Sequence, residues 1–149
     1  MDMMAVFQGW DGKTTARLAE IVAHLRPQDY PVLCDACRSS DDKIARAASW
    51  VLKVAYENGM SDIPYPAELL QNELHWEVAL HLLQSVRYAR AEIPAETVSQ
   101  YLTHQMPMVR AWALDAYVAI NPADAETKLA NAAADPAASV RARARNLAK

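Results

Sequence analysis

Two stretches of the chain share one pattern. "PMVRAWALDAYVAIN" (Pro107 to Asn121) and "PAASVRARARNLA" (Pro136 to Ala148) both open on proline, then carry Val-Arg, then place alanine four residues after the valine. The two valines, Val109 and Val140, are 31 residues apart. Repetition at this distance constrains the fold more than any other feature here, because each copy is one supersecondary unit that buries its apolar face only by stacking on the next. With the valine as position 1, Val109, Ala113, Ala116 and Tyr117 fall at positions 1, 5, 8 and 9. At about 100° per residue these lie in one stripe of a helix.

The same template recurs upstream. Thirty-three residues back it meets Trp76, Leu80 and Leu83, with polar Gln84 at the ninth place; 32 further back it meets Ile44, Ala48, Val51 and Leu52. The copy from Val140 supplies Ala144, Leu147 and Ala148. These four helices are called B. Shorter A helices are expected between them: Asp29 to Ser39 with Asp29 as N-cap and Pro31 in the first turn, then Pro66 to Glu73, Pro94 to Gln105, and a helix that Asn121 caps ahead of Pro122. Asp135-Pro136 repeats that device for the last B helix, and Asn58-Gly59 closes the first. The stretch from Pro66 to Glu92 has no internal breaker and reads either as two helices or as one long bent one.

"GKTTARLAEIVAHL" spaces Leu18, Ile21, Val22 and Leu25 as an amphipathic cap for the first pair. The reading is one all-α domain over 1–149: a cap helix in 1–26 and helix pairs in 27–59, 60–92, 93–120 and 121–149. Composition agrees: 52% hydrophobic residues and only three glycines suit packed helices. The polar last B helix, with Arg141, Arg143, Arg145 and Lys149, suits a terminal repeat.

The run Pro-x-Val-Arg-x-x-Ala-x-x-Ala at Val109, with its echo at Val140, resembles HEAT repeats, in the short form of bacterial HEAT-like and phycobilisome-lyase-like proteins. The resemblance covers about Asp29 to Lys149 by the period argument. The second copy departs from it, with Trp76 for the valine and Glu77 for the arginine. It implies an α-α superhelix, a solenoid of about four helix pairs, right-handed, with B helices lining the concave side.

Positions 3, 7 and 10 lie opposite the core stripe. They hold Arg46, Trp50 and Lys53 in the first copy, Val78, Leu82 and Ser85 in the second, and Ala111, Asp115 and Val118 in the third. The fourth supplies Ala142, Asn146 and Lys149. An apolar middle rimmed by charge marks a binding surface for a protein or peptide, centred on Trp50 and Leu82. The competing reading packs these side chains between neighbouring B helices.

Other chemistry is weaker. Cys34-x-x-Cys37 lacks the βαβ context of a redox dithiol and the further ligands of a zinc site, so it reads as a reduced core pair. The four histidines read as structural, and no His-Glu dipeptide of the kind that binds iron in HEAT-like hydroxylases occurs. No metal or cofactor is expected. Trp112 and Asp115, with Arg46, Lys53 and Lys149, resemble the tryptophans, carboxylate and phosphate contacts of HEAT-like DNA alkylation-repair glycosylases. A net charge of −3 opposes nucleic acid as a partner. Arg141, Arg143 and Arg145 alternate around their helix rather than forming one patch. A bilin-lyase-like activity follows from the repeat subtype alone. The acidic start and short apolar run at the N-terminus do not form a signal peptide, and no uncharged stretch is membrane-length. The expectation is a cytoplasmic, non-enzymatic protein-binding scaffold.

Overall fold

The computed structural model describes residues 2–89 and 92–149. Among them the chain forms α1 (Met3–Gln8), α2 (Ala16–Ala23), α3 (Tyr30–Cys37), α4 (Asp42–Glu57), α5 (Trp76–Ala89), α6 (Ala95–Ser99), α7 (Pro107–Ile120), α8 (Ala125–Ala133) and α9 (Ala138–Leu147), with no strand. No helix among the described residues is long and apolar enough to cross a membrane.

The four B helices exist and contact one another in chain order: α4 packs on α5, α5 on α7, and α7 on α9. Shorter elements pack on them, α3 on α4, α6 on α7 and α8 on α9, while α1 and α2 cover α4. The expected stripe is inside. Ile44, Ala48, Val51 and Leu52 are buried on α4, and Val109, Ala113, Ala116 and Tyr117 on α7. It fades where the row ends: on α9 Val140 and Ala144 are buried, but Leu147 is half-buried and Ala148 exposed. A helix with a neighbour on only one side cannot cover its last turn. Ala48 and Ala113 have no solvent exposure, and a close-packed interior leaves little space for a larger side chain. Ala113→Leu is expected to lower stability by about 1–3 kcal/mol through overpacking. Urea unfolding checks this, and a variant as stable as the parent would show the wrong register.

Local signals decide several boundaries. Asp41 Oδ1 accepts the Lys43 N–H at 2.9 Å and starts α4. Gly59, at φ +92°, ends it: the Met60 N–H reaches the Ala55 carbonyl and the Gly59 N–H the Tyr56 carbonyl. That pair of bonds is a Schellman motif, which requires a left-handed residue that glycine adopts without steric cost. The stretch from Pro66 resolves into two elements, a 3-10 turn at Ala67–Gln71 and then α5. Residues 90 and 91, near its end, lie outside the described residues.

The structure departs from the expectations at four points. The second A element is that single 3-10 turn, and the third A helix continues after α6 only as a 3-10 turn over Gln100–Thr103. Asn121 stands at the N-cap ahead of Pro122, but of a 3-10 turn over Pro122–Asp124 and without a side-chain capping bond; its amide donates to the Tyr117 hydroxyl, and α8 begins only at Ala125. Finally, α1 was not read from the sequence. Asp2 accepts the Ala5 N–H at 3.2 Å, and Phe7 is fully buried.

The repeated Val-Arg has a structural role. Arg110 Nη1 donates to the His104 and Gln105 carbonyls at 2.8 and 3.2 Å, and Arg141 Nη1 to the Asp135 and Pro136 carbonyls at 2.8 and 2.9 Å. Each arginine thus reaches the carbonyls six and five residues back, tying its helix to the turn that precedes it. Arg110 also forms a two-bond fork with Asp135 of the following unit, both contacts 2.9 Å. Such a planar fork is something lysine could not reproduce.

Candidate functional site

The expected binding face divides into a buried middle and half-exposed margins. Val78, Leu82, Ser85, Ala111 and Asp115 are all buried. Leu82 is 0% exposed. This corrects the expectation that these five positions face solvent, with Val78, Leu82 and Ala111 in the apolar patch. The cause is neighbour count: α5 lies between α4 and α7, and α7 between α5 and α9, so flanking helices cover most of the arc opposite the core. Consistent with that, α5 is buried almost all round. Arg46, Trp50, Lys53 and Val118 keep partial exposure.

Polar contacts stitch the row together. Arg46 donates to the Gly12 carbonyl at 3.1 Å, pairs with Glu77 at 3.1 Å, and stands 5.4 Å from the Trp10 ring centre. Lys53 pairs with Glu57 along α4 at 3.4 Å. Ser49 Oγ and His81 Nδ1 are 2.8 Å apart across the α4–α5 contact. Ser85 donates to the His81 carbonyl at 2.7 Å. Arg143 stacks 4.1 Å over the Trp112 ring, close enough for a cation–π attraction.

Two of these contacts obey the repeat template itself. Ser49 and His81 both occupy position 6 of their copies, and Trp112 and Arg143 both occupy position 4. Reading one template position down successive copies would have found both pairs, a signal that searching for active-site motifs passes over.

The Ser49–His81 pair has the composition of a nucleophile and base but not the setting. Burial, reinforced by the nearby charges of Lys53, Arg46 and His75, pulls His81 down to about 3. The ring is therefore neutral at ordinary pH. Ser49 itself is 0% exposed, with its hydroxyl also within 3.1 Å of the Arg46 carbonyl.

Asp115 is the buried carboxylate of the row, 1% exposed. Its Oδ1 lies 3.1 Å from Arg87 on α5 and 3.9 Å from Arg143 on α9, yet has no aligned hydrogen-bond donor among the described residues. Burial raises its carboxyl above the usual range, against the opposing pull of the two guanidiniums. The arrangement joins three successive helices through one carboxylate. It does not present that carboxylate to a cleft, as a glycosylase would require.

Cys34 and Cys37 are free and buried, and burial raises both thiols. Cys34 donates to the Pro64 carbonyl at 3.4 Å. Among the described residues no three His, Cys, Asp or Glu side chains gather as metal ligands would. No protein-family model, curated protein or solved structure matches this chain.

Proposed function

We propose that the chain is a HEAT-like solenoid, an α-α superhelix of helix pairs behind an N-terminal cap. In this reading it is a cytoplasmic, non-enzymatic scaffold that holds another protein. One observation carries the architecture. Side-chain hydrogen bonds join Tyr30 to Asp62, Cys34 to Pro64, Arg38 to Glu68, Arg46 to Gly12, Ser49 to His81, and Gln100 and Tyr101 to Leu70, all 30 to 34 residues apart. Among the described residues none reaches further. Contacts that extend one period and stop are what a stack of repeats produces, since each unit touches only its neighbours.

Such stacks present long continuous surfaces, which is the physical basis for a binding role. The partner surface is assigned to the margin of the B row that keeps solvent contact: Trp50 and Lys53 on α4, Arg87 on α5, and the Trp112–Arg143 stack. Tryptophan and arginine are the side chains most often found as anchors.

A photo-crosslinker at position 53 tests this in extract of the source cell. A discrete partner is expected from position 53, with its yield reduced in Trp50→Ala. Equal capture of that partner from position 126, on α8, would remove the B row from consideration. Release of a methylated base from alkylated duplex DNA, lost in Asp115→Asn, would overturn the non-enzymatic assignment.

A further inference from the structure

Four of the chain's eight prolines line a single groove of about 530 Å³ between α3 and the link that follows α4. Pro27 comes from the 3-10 turn at Pro27–Asp29 and Pro31 from the first turn of α3, and Pro64 and Pro66 from the link that precedes the 3-10 turn at Ala67–Gln71. Tyr30 and Tyr65 stand half-buried among them. The two walls are already joined. Tyr30 donates to Asp62 at 3.4 Å, and Cys34 to the Pro64 carbonyl at 3.4 Å. Proline rings have no rotamers to freeze and their φ is fixed, so the groove is formed before any ligand arrives.

The charge on its rim has one sign to spare. Asp35, whose side chain is 82% exposed, and exposed Asp62 flank the groove. The single cation lining it, Arg38, is already paired with Glu68 and lies 3.4 Å from Asp35. The groove therefore favours a ligand that carries positive charge.

We propose that this groove binds a proline-rich, arginine-containing segment of another protein in the polyproline II conformation. The geometry discriminates among the usual modes of peptide capture. A strand-adding peptide needs an open sheet edge, and no strand is present among the described residues. An amphipathic helix needs a trough of long aliphatic side chains. Flat tyrosine and proline rings instead match the ridged surface of a polyproline II helix, whose conformational entropy is low before binding. Asp35 and Asp62 then meet the arginines. This proposal rests on the reading of the chain as a protein-binding repeat, but the groove shares no lining residue with the B-row margin assigned above. Peptide titration and crosslinking at position 53 therefore fail independently.

The test uses the full chain, 15N-labelled, and three synthetic ten-residue peptides. One contains prolines and two arginines, one replaces the arginines by glutamate, and one keeps the arginines and replaces the prolines by alanine. The first peptide is expected to shift the amide signals of Tyr30, Cys34, Asp35 and Tyr65. Its affinity should fall about fivefold or more, the threshold effect of an anchor side chain, on either peptide change or in the double variant Asp35→Asn, Asp62→Asn. Those two aspartates are exposed, so the variant is expected to fold, with an unchanged melting temperature as the check. Equal affinity for the alanine peptide, shifts centred away from the groove, or no shifts at millimolar peptide would each overturn the assignment.

Discussion

Leu82→Ala is expected to destabilise the chain by about 2–5 kcal/mol in urea unfolding, the cost of deleting a fully buried leucine side chain. Leu82 is 0% exposed and packs within the main core cluster. Its carbonyl accepts the Tyr65 hydroxyl at 2.7 Å, so the cavity would open beside a hydrogen bond that anchors a neighbouring ring. Trp50→Ala provides the contrast. Trp50 packs on the core but keeps solvent contact, and its truncation is expected to cost less than that of Leu82. The pair separates the two roles of the face opposite the core, since a Leu82→Ala variant as stable as the parent would return the middle of that face to solvent and to ligand binding.

The second large effect is on pH. The His81 ring titrates at about 3 in the folded chain, against 6.5 for an ordinary histidine, because burial and the charges of Lys53, Arg46 and His75 disfavour its protonated form. Between these values the unfolded chain holds a proton on this ring and the folded chain does not. Stability therefore rises with pH across the window and is lost as pH falls from about 6.5 toward 3. Each pH unit well inside the window removes about 1.4 kcal/mol. His104, also lowered by burial, acts in the same direction. The raised Asp115 carboxyl acts oppositely, because the folded chain takes up that proton first. Asp29 and Asp135, both lowered by hydrogen bonds, add to the loss only near and below their ordinary 3.8. Urea unfolding of the parent and of His81→Gln between pH 6.5 and 4.5 separates the His81 contribution from those of His104 and Asp115. In His81→Gln the slope should drop by nearly one proton relative to the parent. Parallel slopes would mean that the folded chain protonates this ring as readily as the unfolded one.

Much of the fold was legible because its signals are local. The stripe Val109, Ala113, Ala116 and Tyr117 is a property of one helix, and the Asn58-Gly59 turn involves only a few consecutive residues. The six-residue α1 was missed because so short a helix shows little period; its hold on the fold comes from burying Phe7. The break between Gln71 and Trp76 has neither proline nor glycine to announce it.

The candidate site was legible in part. Arg46, Trp50, Lys53 and Val118 were placed on the side opposite the core and do retain exposure, whereas Val78, Leu82, Ser85, Ala111 and Asp115 do not. The sequence by itself determined which helical faces are apolar and where helices such as α4 and α7 begin and end, since these follow from backbone geometry over a few turns, and it showed the spacing at which the pattern recurs. Only the tertiary structure decided how much of the opposite face remains in water. That depends on how closely α4, α7 and α9 crowd α5 and one another, and the side chains that set those distances lie about one period away along the chain.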